Sequence, residues 1–374
     1  MKKTLLALAL VSVGLGAGFT AHAQTSVKIG YAGPLTGPIS HIGKDGENGA
    51  RLAIEDANAK AMSIGGKTVK FELVSEDDQA DPRTATTAAQ RLTDVGVAGV
   101  VGHTTSGASI PASRVYEQVG VPVITPSSTS PKLTQQGYKV TYRVIANDLQ
   151  QGEAMAKYAT ETLKVKKFAI IDDRTAYGQG LADAFAESIK KLGGEVVGRE
   201  FTNDKATDFT AILTKIKSRA PDAVFYGGMD AQGAPMLRQM RQLGISATFL
   251  GGDGNCTAEM VKLAGDAMND KVFCTQAGIP LSLMPGGNEF LSRFKQRFNT
   301  GVQLYAPYSY DAATALIEGM KAADSTDPAK YLPAMQKVDF KGVSGHIAFD
   351  TKGDIKEGGV SLYRYADGKW EPLQ

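Results

Sequence analysis

The segment Gly99-Val-Val-Gly102-His-Thr-Thr-Ser106-Gly-Ala-Ser-Ile-Pro111 joins a short apolar strand pattern to a helical pattern through a loop of hydroxyl residues. The next such segment, Val121-Pro-Val-Ile-Thr-Pro126-Ser-Ser-Thr129-Ser-Pro131, again ends an apolar run in hydroxyl residues. Ligands of open parallel sheets bind beyond the carboxyl ends of the strands, where a helix N-terminus stabilises an anion. We therefore predict that Ser106 and Thr129 converge on an anionic group, although one such loop alone is more often only a helix cap.

Strand-like and helix-like segments alternate along the chain and predict its fold class. The strand-like segments are 27–31, 70–75, 97–101, 167–171, 195–198 and 223–226. The helix-like segments are 48–59, 82–92, 108–117, 151–159, 181–189, 209–216 and 236–240, and the pattern pauses near 142–147 before it starts again. Helical patterns return at 289–298 and 310–320, and the chain ends in strand-like segments at 344–350 and 360–365. Repeated βαβ units predict an α/β protein with doubly wound parallel sheets in two lobes.

The amino-terminal segment has the pattern of a secretory signal. It has a basic start, a short apolar run and the sequence Ala21-His22-Ala23, which is an Ala-x-Ala cleavage site. The run is shorter than the roughly 20 residues that span a bilayer. We expect residues 1–23 to be removed on export, and because Gln24 rather than Cys follows, we expect no lipid anchor.

The length of the chain and its net charge limit the number of domains and the classes of binding partner that we expect. A chain of 374 residues suits two domains rather than one core. Without Lys2 and Lys3 the 41 basic residues become 39, which equals the 39 acidic residues. A net charge near zero gives no electrostatic reason to expect binding to nucleic acid or to an anionic membrane.

Cys256 and Cys274 are the only cysteines in the sequence. A helical pattern at 257–265 separates them, and Cys274 lies in the apolar run 271–275. A helix between a loop and a strand can bring its two ends close enough for a bridge, and disulfides persist in exported proteins. Neither a CxxC motif nor a nearby histidine supports a metal or redox role. We expect a disulfide that contributes about 3 kcal/mol to stability.

The order of the motifs resembles the leucine/isoleucine/valine-binding proteins, the periplasmic solute-binding components of branched-chain amino acid ABC transporters. The resemblance covers the mature chain, and its motifs are Gly102-His103, 126–134, Gln151-Gly152, Tyr177-Gly-Gln-Gly, Tyr226-Gly-Gly and Gly251-Gly-Asp253-Gly254. It implies the type I periplasmic binding fold, in which a three-strand hinge joins two closing lobes. The implied crossings are near 144–148, 276–279 and 350–353. The implied division is a signal peptide at 1–23, lobe 1 at 24–146 and 278–350, and lobe 2 at 147–277 and 351–374.

The resemblance also implies which residues contact the ligand. Ser106 and Thr129 match hydroxyl contacts to an α-carboxylate, and Ser127 matches a residue whose backbone carbonyl meets the amine. Asp253 matches an acidic residue that pairs with the ammonium, and Tyr177 matches a tyrosine that closes over the ligand. Because the family has Glu where this chain has Asp253, the amine must lie deeper, be reached through water or belong to a different ligand.

The residues expected to form the pocket for the ligand side chain differ from those typical of the family. Met229 and Ile42 stand where the branched-chain binders carry aromatic walls, and Tyr305 matches a third wall position. Thr105, which we include among the candidate site residues, replaces a cysteine that some members pair within lobe 1. Met and Ile keep the pocket apolar but change its shape.

These features favour the solute-binding component of an ABC importer. The ligand that fits them best is an L-amino acid with a branched side chain. We expect a monomer in the periplasm that delivers its ligand to an inner-membrane ABC permease, without a cofactor or metal. The alternatives left open are another amino acid or amide-type solute, such as an aromatic amino acid, 4-aminobutyrate, urea or an amide. A further alternative is an exported sensor for a separate membrane receptor.

Enzyme motifs are absent from the sequence. It has no HExxH motif, the segment 342–346 fails the GxSxG pattern, and Tyr177-Gly-Gln-Gly lacks the third glycine of a dinucleotide loop. His103 and Ser106 could be read as a base and nucleophile. We favour instead a structural histidine that hydrogen-bonds the backbone of lobe 1, and therefore a protein that is not an enzyme.

Overall fold

The computed structural model describes residues 25–373, and the predicted signal peptide at 1–23 lies outside them. The first part of the chain forms a six-stranded sheet in the order β2-β3-β1-β4-β5-β6, parallel except where β2 pairs with β3. Its strands are β1 (Thr25–Gly33), β2 (Ser63–Ile64), β3 (Lys67–Asp77), β4 (Gly99–Gly102), β5 (Val123–Thr125) and β6 (Thr141–Arg143). Its helices are α1 (Ser40–Ala59), α2 (Pro82–Asp94), α3 (Ser106–Val119) and α4 (Lys132–Gln135). We call this sheet and the helices packed on it lobe 1.

The second part of the chain forms another parallel sheet. Its strands are β7 (Lys167–Asp172), β8 (Glu195–Phe201), β9 (Ala223–Gly227), β10 (Thr248–Gly251) and β11 (Val272–Gln276). Its helices are α5 (Asp148–Lys157), α6 (Ala176–Lys191), α7 (Thr210–Ser218), α8 (Asp230–Gln242) and α9 (Ala258–Ala264). A π-helical turn at Tyr158–Thr162 continues α5, and a 3₁₀ turn at Asp253–Asn255 follows β10. We call this sheet with its helices lobe 2.

The last part of the chain contributes to both lobes. The helices α10 (Gly287–Phe298), α11 (Ala306–Ala322) and α12 (Pro328–Met335) belong to lobe 1, where α11 packs along α1. The strands β12 (Asp339–Lys341) and β13 (His346–Ala348) form a small antiparallel sheet. The strands β14 (Ser361–Ala366) and β15 (Lys369–Pro372) extend the lobe 2 sheet, which has the order β15-β14-β11-β10-β9-β7-β8. The predicted doubly wound α/β architecture is confirmed.

The chain passes between the sheets three times, after β6, after β11 and after β13. The three connections lie side by side: a Cβ at Gly358 would be 3.1 Å from the Cα of Ala146, and Ser361 donates a hydrogen bond of 2.6 Å to the Gly278 carbonyl. They are mostly bends and turns rather than the expected strands. The third connection also continues beyond the expected residue Gly353.

Helix α1 begins at Ser40, well before residue 48, where the sequence pattern starts. Three glycines make the segment unfavourable for a helix by propensity alone, but each allows another part of the protein to pack closely against the helix. A Cβ at Gly43 would lie 2.1 Å from the Pro34 carbonyl oxygen, and one at Gly49 would lie 2.1 Å from that of Ala306. Tertiary packing therefore extends the helix and places His41 within it.

The predicted disulfide is present. Cys256 and Cys274 are bonded, with 5.5 Å between their Cα atoms, and α9 lies between them in the chain. Both cysteines are buried against Tyr363, and Trp370 packs on the cluster and donates a hydrogen bond of 2.9 Å to the Thr257 carbonyl. The bridge thus ties β11 to the turn that follows Asp253.

Candidate ligand-binding cleft

The two hydroxyl loops lie in contact at one edge of the lobe 1 sheet. They follow β4 and β5, which are adjacent parallel strands and are fully buried. The Ser130 amide donates a hydrogen bond of 3.1 Å to the Ser106 hydroxyl oxygen, and the Ser127 hydroxyl donates one of 2.8 Å to the Thr104 carbonyl. Ser106 begins α3, so the amides of a helix N-terminus point to the same place.

Two threonine hydroxyls in these loops are buried without a partner. Within residues 25–373, neither Thr105 Oγ1 nor Thr129 Oγ1 makes a hydrogen bond. Thr105 occupies the N-cap position of α3, yet its side chain makes no capping bond. Helix capping therefore does not account for these two hydroxyls, and the Thr129 hydroxyl lies close enough to the Asp148 carboxyl group to lower its pKa.

Asp253 is the centre of a hydrogen-bonded group that includes both lobes. Its side chain accepts bonds from the Tyr177 hydroxyl at 2.7 Å, the Gln151 amide at 3.0 Å and the Tyr305 hydroxyl at 2.5 Å. Burial raises the pKa of Asp253, while these three donors lower it in part. Tyr305 was expected as an apolar wall, but its hydroxyl binds this carboxylate because the residue caps α11 and faces lobe 2.

Sequence reasoning gave no role to Asp148 and Gln151, which lie three residues apart on α5. Gln151 joins Asp253 and also accepts a hydrogen bond of 2.8 Å from Thr275. Asp148 is fully buried, and neither of its carboxylate oxygens makes a hydrogen bond within the described residues. An acidic residue in the first turn of a helix is normally explained by its favourable interaction with the helix dipole. The sequence therefore gave no indication that Asp148 is buried.

Asp148 has an unusual charge state. Burial raises its pKa to about 8, and the charge of Asp253 adds to the shift, while the neighbouring Thr129 and Arg143 oppose it. At neutral pH this carboxyl group is therefore mostly protonated. The arrangement places two acidic side chains close to the hydroxyl loops.

A cavity of about 640 Å³ lies between the lobes. Thr105, Tyr177 and Met229 line it, together with Ile39 from lobe 1. Met229 packs against the hydrophobic clusters of both lobes, as a residue of the closing cleft would. Ile42, which was expected in the wall of the pocket, is buried in the lobe 1 core and does not line this cavity.

His103 differs from its predicted environment. Its ring contacts side chains rather than backbone, with Nδ1 at 2.7 Å from Asp78 Oδ2 and Nε2 at 3.0 Å from the Tyr116 hydroxyl. The prediction of a backbone partner was wrong because these two buried polar side chains need the ring's hydrogen bonds. Both ring nitrogens are occupied, so His103 does not act on Ser106.

Within residues 25–373 no helix has the length and apolar character needed to cross a membrane. The same range contains no cluster of three or more His, Cys, Asp or Glu side chains arranged to hold a metal ion.

The sequence and the fold of this chain are similar to those of known binding proteins. The sequence model of the family described as "Periplasmic binding protein" matches residues 26–369. An "Amino acid binding protein" of Pseudomonas aeruginosa is 37% identical over 100% of this chain and 98% of its own length. The leucine binding protein LivK of Thermotoga maritima has a TM-score of 0.86 at 30% identity, covering 93% of this chain and 98% of its own. LivJ of Streptococcus pneumoniae, in complex with isoleucine, has a TM-score of 0.84 at 28% identity, with coverage of 93% and 98%.

These relatives are substrate-binding proteins and not enzymes. The match extends over nearly all of the described residues and includes the type I periplasmic binding fold. The chain therefore belongs to the periplasmic binding protein family, among the substrate-binding proteins of branched-chain amino acid ABC transporters.

Proposed function

We propose that this protein binds an L-amino acid, most consistently leucine, isoleucine or valine, between its two lobes and delivers it to an inner-membrane permease. The observation that carries the proposal is the presence of unsatisfied hydroxyls and of the buried, hydrogen-bonded carboxylate of Asp253 where the two lobes meet. Thr105 Oγ1 and Thr129 Oγ1 have no hydrogen-bond partner within the described residues, Thr105 lines the cavity between the lobes, and Thr129 adjoins Asp148, whose pKa also responds to the charge of Asp253. An amino acid has the complementary pair of charged groups.

The carboxylate of the ligand is proposed to lie at the N-terminus of α3. The helix amides favour a negative charge there, and Ser106 and Thr129 donate hydroxyl hydrogen bonds. Ser127 is proposed to contribute its backbone carbonyl to the amine, because its hydroxyl already binds Thr104. Each of these groups comes from lobe 1, so the open protein can capture the ligand before closure.

The ammonium is proposed to face Asp253, and Tyr177 closes over the ligand from lobe 2. Asp253 already receives hydrogen bonds from Tyr177, Gln151 and Tyr305, which hold its carboxylate in one orientation. A fixed carboxylate in a buried site binds a cation more strongly than a mobile one, because less entropy is lost on binding. The cavity beside Met229 is proposed to receive the ligand's apolar side chain.

A second candidate is a solute whose amine lies farther from its carboxylate, such as 4-aminobutyrate. The short side chain of Asp253 favours it, since Tyr177 and Gln151 hold this carboxylate in lobe 2. We also propose that the protein is exported after removal of residues 1–23, that it is a monomer in the periplasm, and that its lobes have the boundaries predicted from the sequence. A ligand sensor would bind the same solutes, and copurification with a permease from membranes separates the two roles.

Isothermal titration calorimetry with the common L-amino acids and 4-aminobutyrate tests the proposal. We expect 1:1 binding of a branched-chain amino acid, and we expect the ligand to be recovered unchanged. Thr129→Val should weaken binding, because it removes a free hydroxyl and keeps the shape, while the exposed Thr300→Val should not. Indifference to every compound, or loss of the bound compound during incubation, contradicts the proposal.

A further inference from the structure

His41 and Asp230 form a direct contact between the lobes. His41 is the second residue of α1 in lobe 1, and Asp230 is the first residue of α8 in lobe 2, 189 positions later. His41 Nε2 lies 2.9 Å from Asp230 Oδ2, and the two side chains are 19% and 0% exposed. A contact between side chains of different lobes exists only while the lobes are together.

The surroundings favour a charged pair. Asp230 lies at the N-terminus of α8, which stabilises its carboxylate, and Thr257 donates a hydrogen bond of 2.5 Å to the same oxygen that faces His41. Burial lowers the pKa of His41, but the hydrogen bond and charge of Asp230 outweigh it, so the pKa is raised. The other charged groups acting on His41 are Glu259 near the start of α9 and Asp45 on its own helix, and both raise the pKa further.

The pair adjoins two candidate pocket residues. His41 precedes Ile42, and Asp230 follows Met229. Met229 packs on the hydrophobic clusters of both lobes, and Ile42 belongs to the lobe 1 cluster. The ion pair therefore sets the distance between the N-termini of α1 and α8, one residue away from Met229, which lines the cavity.

We propose that His41 and Asp230 are a cross-lobe latch, which positions the side-chain pocket on closure and makes ligand binding tighter at acidic pH. The effect of the latch on affinity rests on the proposed function, whereas its effect on closure of the lobes does not require a ligand. In the open protein His41 is separated from Asp230, so its pKa is lower there than in the closed protein. Closure therefore takes up a proton at pH values between the two, and the added affinity is lost as the pH rises through the closed-form pKa.

Calorimetric titration of L-leucine from pH 5.5 to pH 8.5 tests the latch. For the wild type we expect the dissociation constant to rise about three- to tenfold over this range. His41→Gln and Asp230→Asn should each lose that part of the pH dependence, and His41→Gln should match the wild type at pH 8.5. Other titrating groups, such as Asp148 and Asp173, contribute equally to the pH dependence of the wild type and of each variant. Their contribution therefore cancels when the two are compared.

His346→Gln is the matched control. His346 also pairs with acidic side chains, Asp339 and Glu357, but this group lies at β12, β13 and the third connection, and none of its three residues lines the cavity beside Met229. We expect it to keep the pH dependence of the wild type. Titrations in buffers of different ionisation enthalpy should show proton uptake that is smaller in His41→Gln. The same pH slope in His41→Gln as in the wild type overturns the latch.

Failure of L-leucine to bind at any pH contradicts the branched-chain proposal rather than the latch. Small-angle X-ray scattering of the ligand-free protein then decides the latch by itself. At pH 5.5 the wild type should have a smaller radius of gyration than His41→Gln, and at pH 8.5 the two should agree. Equal radii at both pH values overturn the latch.

Discussion

The hydroxyl of Tyr305 in lobe 1 donates a hydrogen bond of 2.5 Å to Oδ2 of Asp253 in lobe 2. The other carboxylate oxygen of Asp253 is held by Tyr177 and Gln151, both from lobe 2. Opening of the cleft breaks the first contact and leaves the other two in place. Asp253 is thus the residue at which the proposed contact with the ligand ammonium and the observed contact between the lobes coincide.

Asp253→Asn should abolish most of the affinity for an amino acid. The variant keeps the shape of the side chain and removes the counter-charge of the ligand ammonium. Truncation of a buried charged contact costs about 2–5 kcal/mol, which corresponds to a loss of roughly thirtyfold or more in affinity. Calorimetry measures it, with the exposed Asp270→Asn as a control that should bind normally. An unchanged dissociation constant would place the amine elsewhere.

Tyr305→Phe and Tyr177→Phe should distinguish an effect on closure of the lobes from an effect on the stability of lobe 2. Tyr305→Phe removes only the contact across the cleft, so we expect about tenfold weaker binding and little change in ligand-free melting. Tyr177→Phe also leaves the Gly254 amide without the hydroxyl that accepts its bond of 3.0 Å. We therefore expect Tyr177→Phe alone to lower the melting temperature. Equal melting of the two variants would argue against this division.

Asp148→Asn should change how stability depends on pH. Burial raises the pKa of Asp148 to about 8 in the folded protein, against about 4 in an unfolded chain. Its stabilising contribution is complete below the unfolded pKa and is lost as the pH rises towards 8. Since asparagine does not ionise, Asp148→Asn should melt like the wild type near pH 4 and a few degrees higher at pH 9. A difference independent of pH, measured by scanning calorimetry, would contradict the buried charge state.

Loss of the disulfide should destabilise lobe 2. Replacement of Cys256 and Cys274 by serine removes a bridge across 18 positions, which is worth about 3 kcal/mol in the chain-entropy model. Guanidinium unfolding of the double variant should show this loss, and reduced wild type should behave similarly. Native protein purified without reductant should give no free thiol signal, and two titratable thiols in it would contradict the bridge.

The sequence by itself determined the features that depend on local patterns. Alternating strand and helix periodicities gave the α/β class, because each element's burial pattern repeats within a few residues. Hydroxyl residues after β4 and β5 indicated one meeting point, since adjacent parallel strands end at the same edge of a sheet. The bridge between Cys256 and Cys274 also followed locally, because one short helix separates them.

Only the tertiary structure decided how the lobes meet. The Tyr305 contact spans 52 positions and the His41 contact 189, so no local pattern could place these side chains together. The start of α1 depended on packing too, because its glycines oppose a helix until the Pro34 and Ala306 carbonyls lie against them. Asp148 appeared as an ordinary first-turn acid, and its burial became evident only when the hydroxyl loops of lobe 1 and the turn at Asp253 came together around it, because burial is a property of the assembled fold.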